Sequence, residues 1–309
     1  MNPVPADFEI RVPGSIANLG PGFDTLAAAV QLYLTLSVRR LRGSDKLQFD
    51  FVDCKIDGEN YIERAFRFLA VQRGGSFPSL HIEVHSDIPP KGGLGSSAAA
   101  TVAGLRLYEA IAGPLPAQGL LNAACALEGH PDNIAAALLG GLTISCQMPD
   151  RSAFAVSLEW PEPLQFLVLT PHVPLSTAAS RQALPDRIPR EDAVFNLQRV
   201  ALLLQALQSG KFSLLREALQ DRIHQPFRQH LVPGLERALA LEHPDLLGVC
   251  LSGAGPSIVA LAERNFETVQ ELLESVFRDQ AVPFTTRLLS AHRADHPALD
   301  FACPRVKTG

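Results

Sequence analysis

The stretch Pro89-Pro90-Lys91-Gly92-Gly93-Leu94-Gly95-Ser96-Ser97-Ala98-Ala99 stands between a segment of strand-like alternation, Leu80–His85, and a helical one, Ser96–Ala112. Glycines adopt backbone conformations closed to other residues and let the main chain approach a ligand closely. Free N–H groups of such a loop then converge on one place, and the helix beginning at Ser96 adds the positive end of its dipole. Ser97 supplies a hydroxyl suited to a Mg2+ ion held by phosphates, and Ala98, Ala99 and Ala100 keep the first turns slim. The stretch therefore reads as a phosphate cradle. The Gly-x-x-x-x-Gly-Lys-Ser/Thr pattern of a Walker P-loop occurs nowhere in the chain.

Outward from this loop, Glu9–Val12, Leu32–Leu41 and Lys46–Val52 carry strand patterning, and Asn60–Gln72 and Ala117–Glu128 read as helices. Leu142–Gln147 is a strand, after which Pro149 and Asp150 break the pattern. A second group begins near Pro163. Leu164–Leu169 is a strand, Glu191–Gln208 and Phe212–Ile223 are amphipathic helices, and Leu246–Leu251 and Ser257–Leu261 are strands around a glycine turn. Phe266–Arg278 is a helix and Phe284–Leu289 the last strand. With the additional helices set aside, this order is β-α-β-β-α-β, the ferredoxin-like arrangement. The sequence thus predicts an α+β protein of two domains, 1–160 and 161–309, with little regular structure after His292.

Of the 309 residues, 47% are hydrophobic and 19% charged, the composition of an ordinary globular chain. A net charge of −5 without a run of Lys or Arg argues against nucleic acid or an anionic membrane as partner. Five widely spaced cysteines without a CxxC fit neither a disulfide framework nor a zinc knuckle, and most read as core residues of a protein in a reducing cytoplasm. The N-terminus has no secretory h-region, and the apolar stretch Ile134–Met148 is too short to span a bilayer.

Other polar residues have both local and functional readings. The loop Val12–Leu26, placed after the first strand, offers an amide at Asn18 and a carboxylate at Asp24, fixed by Gly and Pro. Glu128 ends a helix, where the dipole disfavours a carboxylate and a Mg2+ ion would compensate it. Asp132 or Asn133 suits the N-cap of the following short helix, and Asn60 suits the N-cap of another. Arg181 and Arg228, taken singly, read as solvated surface charges. His81, Glu83 and His85 share a strand face, which reads as a half-exposed polar face rather than a zinc site.

Pro-x-x-x-Gly-Leu-Gly-Ser-Ser-Ala-Ala, ending at Ala99, resembles the ATP loop of the GHMP kinases. That resemblance implies an N-terminal α+β domain related to ribosomal-protein domains and a ferredoxin-like C-terminal domain. Pro13-Gly-Ser-Ile-Ala-Asn-Leu-Gly-Pro-Gly-Phe-Asp24 resembles the N-terminal signature of homoserine kinases. So do Ser176-Thr-Ala-Ala-Ser-Arg181 with Leu184-Pro185, and His224-Gln-Pro-Phe-Arg228. Leu251-Ser-Gly-Ala-Gly-Pro-Ser257 is similar to the superfamily's third motif, a glycine turn backing the active site.

The resemblance implies transfer of phosphate from ATP to L-homoserine, a step toward threonine, with Mg2+ at Ser97 and Glu128. Pro89 to Ala99 would hold the phosphates, with Asn60 near the adenine. Asp24 would take the substrate ammonium, and Arg181 and Arg228 its carboxylate through their planar forks. His130 and Asn133 match homoserine-contacting positions. Asn133, Asp132 and Asn18 are the catalytic candidates: Asn133 would orient the hydroxyl, and whether Asp132 acts as a base stays open. The family also implies a homodimer. Three rival readings are a GHMP kinase for another small alcohol, a non-catalytic GHMP-fold binding protein and a nucleic-acid-binding domain. The absence of Lys from the N-terminal loop opposes the first, the intact loop, Ser97 and Glu128 the second, and the acidic charge the third.

Overall fold

The computed structural model describes residues 7–53, 58–74, 76–173, 175–278 and 282–293. Cys54, Cys303 and the tail beyond Arg293 lie outside them. The first half runs β1 (Asp7–Ala17), β2 (Leu26–Ser44), β3 (Leu47–Phe51), α1 (Tyr61–Arg73), β4 (Pro78–Ser86), α2 (Ser96–Ala112), α3 (Ala117–Glu128), α4 (Asp132–Leu139), β5 (Leu142–Gln147) and β6 (Ala153–Leu158). Its sheet has the order β3-β4-β2-β5-β6, with β1 also paired to β2. β3 and β4 are parallel, joined through α1, and the other pairs are antiparallel.

β1 shows how the sequence sets the layers. From Asp7 to Arg11 its side chains alternate between partial burial and solvent, as on a sheet with one wet face. From Val12 to Ala17 every residue is buried, because α2 and α4 pack over this end. The first residues of the expected Val12–Leu26 loop are therefore strand, and the loop proper begins at Asn18. β6 was not anticipated. Pro149 and Asp150 form the turn before it, and only Ala153 and Ala155 of its six residues are buried, too short an alternation to stand out.

The second half runs β7 (Gln165–Pro171), α5 (Thr177–Gln182), α6 (Arg190–Ser209), a 3-10 turn (Phe212–Leu214), α7 (Leu215–Ala218), α8 (Gln225–Arg228), α9 (Leu235–Leu239), β8 (Gly248–Leu251), β9 (Ile258–Ala262), α10 (Phe266–Ser275) and β10 (Phe284–Leu289). Its antiparallel sheet has the order β10-β7-β9-β8. Numbered within this half, that is 4-1-3-2, the ferredoxin-like order expected from the strand pattern. The helix expected over Phe212–Ile223 shrinks to the 3-10 turn and α7. The Asp221 carboxylate ends it by accepting from the backbone N–H of Ile223, His224 and Gln225, a local bond pattern that competes with helix.

The halves share one apolar core, which joins Ile16, Leu26 and Leu105 to Phe166, Leu203 and Cys250. Cys125 and Cys250 are buried as expected, whereas Cys146 is exposed. On the outer face of β4, His81 contacts Asp50 and His85 contacts Asp53. No cluster of three or more potential metal ligands occurs among the described residues. Among the same residues, no helix is long and apolar enough to cross a membrane.

Candidate active site

The glycine loop lies across the seam between the halves. Ser257 donates to the Gly92 carbonyl through Oγ at 2.6 Å, and Ser252 Oγ donates to the Gly93 carbonyl at 2.6 Å. The 252–257 turn thus holds the loop from behind, the place its motif implies. A Cβ on Gly93 would lie 2.6 Å from the Gly255 oxygen and 2.7 Å from that of Ser252, in a backbone with φ of +76°, so no larger residue fits. Gly95 precedes α2 with φ of 73°, and no side chain caps the helix. The first N–H groups of α2 are therefore left for a ligand.

A cavity of about 280 Å3 opens in front of this loop. Lys91, Gly93, Gly95, Ser96 and Ser97 form one wall, and Glu128, His130, Asp132 and Asn133 a second. Asn18, Asp24, Arg181 and Arg228 form a third, closed by Gly253, Ala254 and Gly255. Pro89, Pro90, Gly92, Leu94, Ala98 and Ala99 do not line it. Leu94, Ala98 and Ala99 point into the core, and the Leu94 carbonyl accepts from Ser15 N–H at 3.0 Å. Asn60 stands just outside the cavity wall as the N-cap of α1. Its oxygen accepts from Ile62 and Glu63 N–H, and its neighbour Tyr61 is the one at the wall.

Ser97 Oγ donates to Glu128 at 3.0 Å. Thr101, one helical turn further along α2, donates to the other Glu128 oxygen at 2.8 Å, and Arg64 Nη2 stands 3.7 Å from it. The carboxylate at the end of α3 is thus compensated in part by Thr101 and Arg64, which the sequence did not single out. The i, i+4 spacing of Ser97 and Thr101 was the available signal. One hydroxyl beside one carboxylate fits Mg2+, which binds through one or two carboxylates together with substrate phosphates.

The other wall is a chain of hydrogen bonds. Asp132 Oδ1 contacts His130 Nδ1 at 3.0 Å and accepts from Asn133 N at 2.8 Å. Its bond to Asp132, more than the opposing effect of burial, raises the pKa of His130 above the usual histidine value. The Asn133 oxygen accepts from Ser15 Oγ at 2.8 Å. Neither Asp132 nor Asn133 caps α4 through its side chain; Pro131 occupies that position. A Cβ at Gly95 would meet Ser15 Oγ at 2.2 Å, so loop and Ser15–Asn133 pair are fitted to each other.

Asn18 is buried with both polar ends engaged: Nδ2 donates to the Gly253 carbonyl at 3.0 Å and Oδ1 accepts from Asp24 N–H at 3.0 Å. It joins the two halves through these bonds while lining the cavity, with a second Nδ2 hydrogen and a second oxygen lone pair not used by them.

Arg228 is not a surface charge. It is 1% exposed and donates from Nε to the Ser180 carbonyl and from Nη1 to the Gly253 carbonyl and His224 Nδ1. Burial and nearby Arg181 push its pKa down to about 10, so it stays cationic at neutral pH. His224 is held between that guanidinium, which can only donate, and the Gly20 carbonyl, 2.7 Å from Nε2, which can only accept. The ring is therefore the neutral Nε2–H tautomer. Asp24, expected to be free for an ammonium, is instead paired with Arg181, at 2.7 Å from Nη2 and 3.0 Å from Nη1.

Comparison with known proteins agrees with this geometry. The model of the GHMP kinases N terminal domain matches residues 60–141 and that of the GHMP kinases C terminal domain residues 203–280. A homoserine kinase of Solibacter usitatus is 41% identical over 278 residues, 88% of this chain and 90% of its own. One of Deinococcus radiodurans is 40% identical over 84% of this chain and 86% of its own. The crystal structure of homoserine kinase from Cytophaga hutchinsonii superposes with a TM-score of 0.83 at 25% identity, covering 97% of this chain and 99% of that one. Kinase domains matched in both halves, and this identity along most of its length, place the chain in the GHMP kinase family, among the homoserine kinases.

Proposed function

We propose that this protein is a homoserine kinase, transferring the γ-phosphoryl group of ATP to the side-chain hydroxyl of L-homoserine to give ADP and O-phospho-L-homoserine, a step toward threonine. One observation carries the reading. A phosphate loop with its serine–glutamate pair, Ser97 and Glu128, shares a single cavity with one carboxylate and two guanidinium groups, Asp24, Arg181 and Arg228.

Phosphoryl transfer asks the protein chiefly for positioning and charge neutralisation. The Gly93–Ser97 backbone and the start of α2 bind the phosphates, and the remainder of Pro89–Ala99 keeps that backbone in place. Asn60 and Tyr61, at the start of α1, lie toward the adenine. Ser97 and Glu128 would hold Mg2+, which when bound neutralises charge on the transferring phosphate. Arg228, through the Nη2 left by its other bonds, and Arg181 take the substrate carboxylate, and Asp24 takes its ammonium. Asn133 and His130 orient the hydroxyl. Asp132, whose Oδ1 engages both of them, sets their positions. The last strand of the first sheet ends at Leu158 and the first strand of the second starts at Gln165, which supports domains of 1–160 and 161–309. A cytoplasmic homodimer, as the family implies, belongs to the same reading.

The test is a coupled ADP-release assay with Mg2+ across homoserine, mevalonate, galactose and serine. Homoserine is expected to give the highest kcat/KM. Activity with another alcohol but none with homoserine would overturn the assignment.

A further inference from the structure

Two guanidinium groups flank the Phe23 ring, with Arg181 Cζ 5.8 Å and Arg228 Cζ 5.4 Å from its centroid. They differ in freedom. Arg228 is fixed by Ser180, Gly253 and His224 and cannot swing. The hydrogen bonds of the Arg181 guanidinium, by contrast, go to Asp24 alone, through both terminal nitrogens, and both side chains keep about a third of their surface exposed in the cavity wall (38% and 33%). Burial opposes the charge on Arg181, and Asp24 more than offsets it. The two groups that would read an amino acid's ends satisfy each other.

A ligand entering here must separate that pair, and its own charges decide the outcome. A monoanion that takes Arg181 leaves Asp24 unpaired and facing a second carboxylate. A monocation that takes Asp24 leaves Arg181 unpaired beside Arg228. Juxtaposed like charges of this kind are strongly unfavourable. A zwitterion repairs both partners at once. We propose that the Asp24–Arg181 ion pair is an internal stand-in for the amino-acid head group, and that its exchange for the substrate's own ammonium and carboxylate makes the site select zwitterionic alcohols over singly charged ones. This rests on the homoserine reading and adds what the ion pair does within it.

The experiment compares homoserine with 4-hydroxybutyrate, which keeps the chain, hydroxyl and carboxylate and lacks the ammonium, in the wild type and in Asp24→Asn. The Asp24 side chain bonds only to Arg181, so the variant is expected to fold with an unchanged KM for ATP; Asp24→Ser serves as a second variant with the same expectation. Freeing Arg181 should raise kcat/KM for 4-hydroxybutyrate at least about tenfold while lowering that for homoserine, a preference change of about a hundredfold or more. Asp24→Glu should keep the preference for homoserine. If the wild type phosphorylates homoserine but both Asn and Ser variants lose activity on the two substrates in equal proportion, the proposal is wrong. A wild type with no homoserine activity would overturn the parent reading, and the proposal with it.

Discussion

Ser97 and Glu128 meet at 3.0 Å although they lie on different helices, the serine in the first turn of α2 and the glutamate in the last of α3. The proposed metal-binding half of the site is thus assembled by the packing of two helices, and Thr101 keeps the carboxylate turned toward the loop from one turn deeper. Glu128→Gln is expected to lower kcat by at least about a hundredfold, since neutralising charge on the transferring phosphate lowers the barrier more than any other single effect. Thr101→Val, which removes only the group orienting Glu128, should raise the Mg2+ needed for half-maximal rate about tenfold. Mg2+ titrations at fixed ATP check both, and an unaltered Mg2+ dependence in Glu128→Gln would refute the metal assignment.

The glycine loop gives a contrast between two glycines. Gly95→Ala places a methyl group 2.2 Å from Ser15 Oγ in a left-handed backbone, and should abolish activity and destabilise by more than about 1 kcal/mol. Gly119→Ala, in α3 with open space around it and no positive φ, should stabilise by about 0.5–1 kcal/mol and leave kcat unchanged. Thermal melts and steady-state rates measured side by side decide this.

Arg228 carries two duties, and its variants should separate them. Arg228→Ala leaves the Ser180 and Gly253 carbonyls without this donor in a buried place and should destabilise by about 2–4 kcal/mol. Among variants that remain folded at the assay temperature, Arg228→Lys should raise KM for homoserine at least about tenfold with little effect on KM for ATP, because an ammonium lacks the planar fork. An equal rise in both constants would show that the residue is not a carboxylate site.

His224 predicts an acid limit to stability. Burial, with Arg228 adding to it and Asp221 opposing it, lowers the pKa of this ring in the folded protein. The unfolded chain therefore binds the proton more readily than the folded one. The contribution is complete above the unfolded value of about 6.5 and is lost as pH falls toward the folded value, by at most about 1.4 kcal/mol per pH unit. Melting temperatures followed from pH 8 down to about pH 5 should fall more steeply for the wild type than for His224→Asn. Equal slopes would show that the ring titrates as it does in the unfolded chain.

Much of the fold was legible because it rests on local signals. The bounds expected for α2 and α3 match, since glycine marks the residue before the one and after the other. The 4-1-3-2 order of the second sheet followed from its strand pattern. The failures also have local causes. β6 is short and half-covered, and Asp221 offers three backbone N–H groups an alternative to the helix that the apolar pattern of Phe212–Ile223 suggested.

For the site, the sequence by itself supplied the candidate groups: the phosphate loop through residue type and local spacing, and Asp24, Arg181 and Arg228 through the motifs that resemble those of homoserine kinases. Only the tertiary structure decided which of them are free. Asp24 and Arg181 are 157 positions apart, and Ser15 and Asn133 are 118 apart. Any carboxylate can accept from any guanidinium, so residue type does not specify such pairs; the packing of β1, α4 and the 252–257 turn does. That packing buries Arg228, occupies both ends of Asn18 and turns Asp24 toward Arg181.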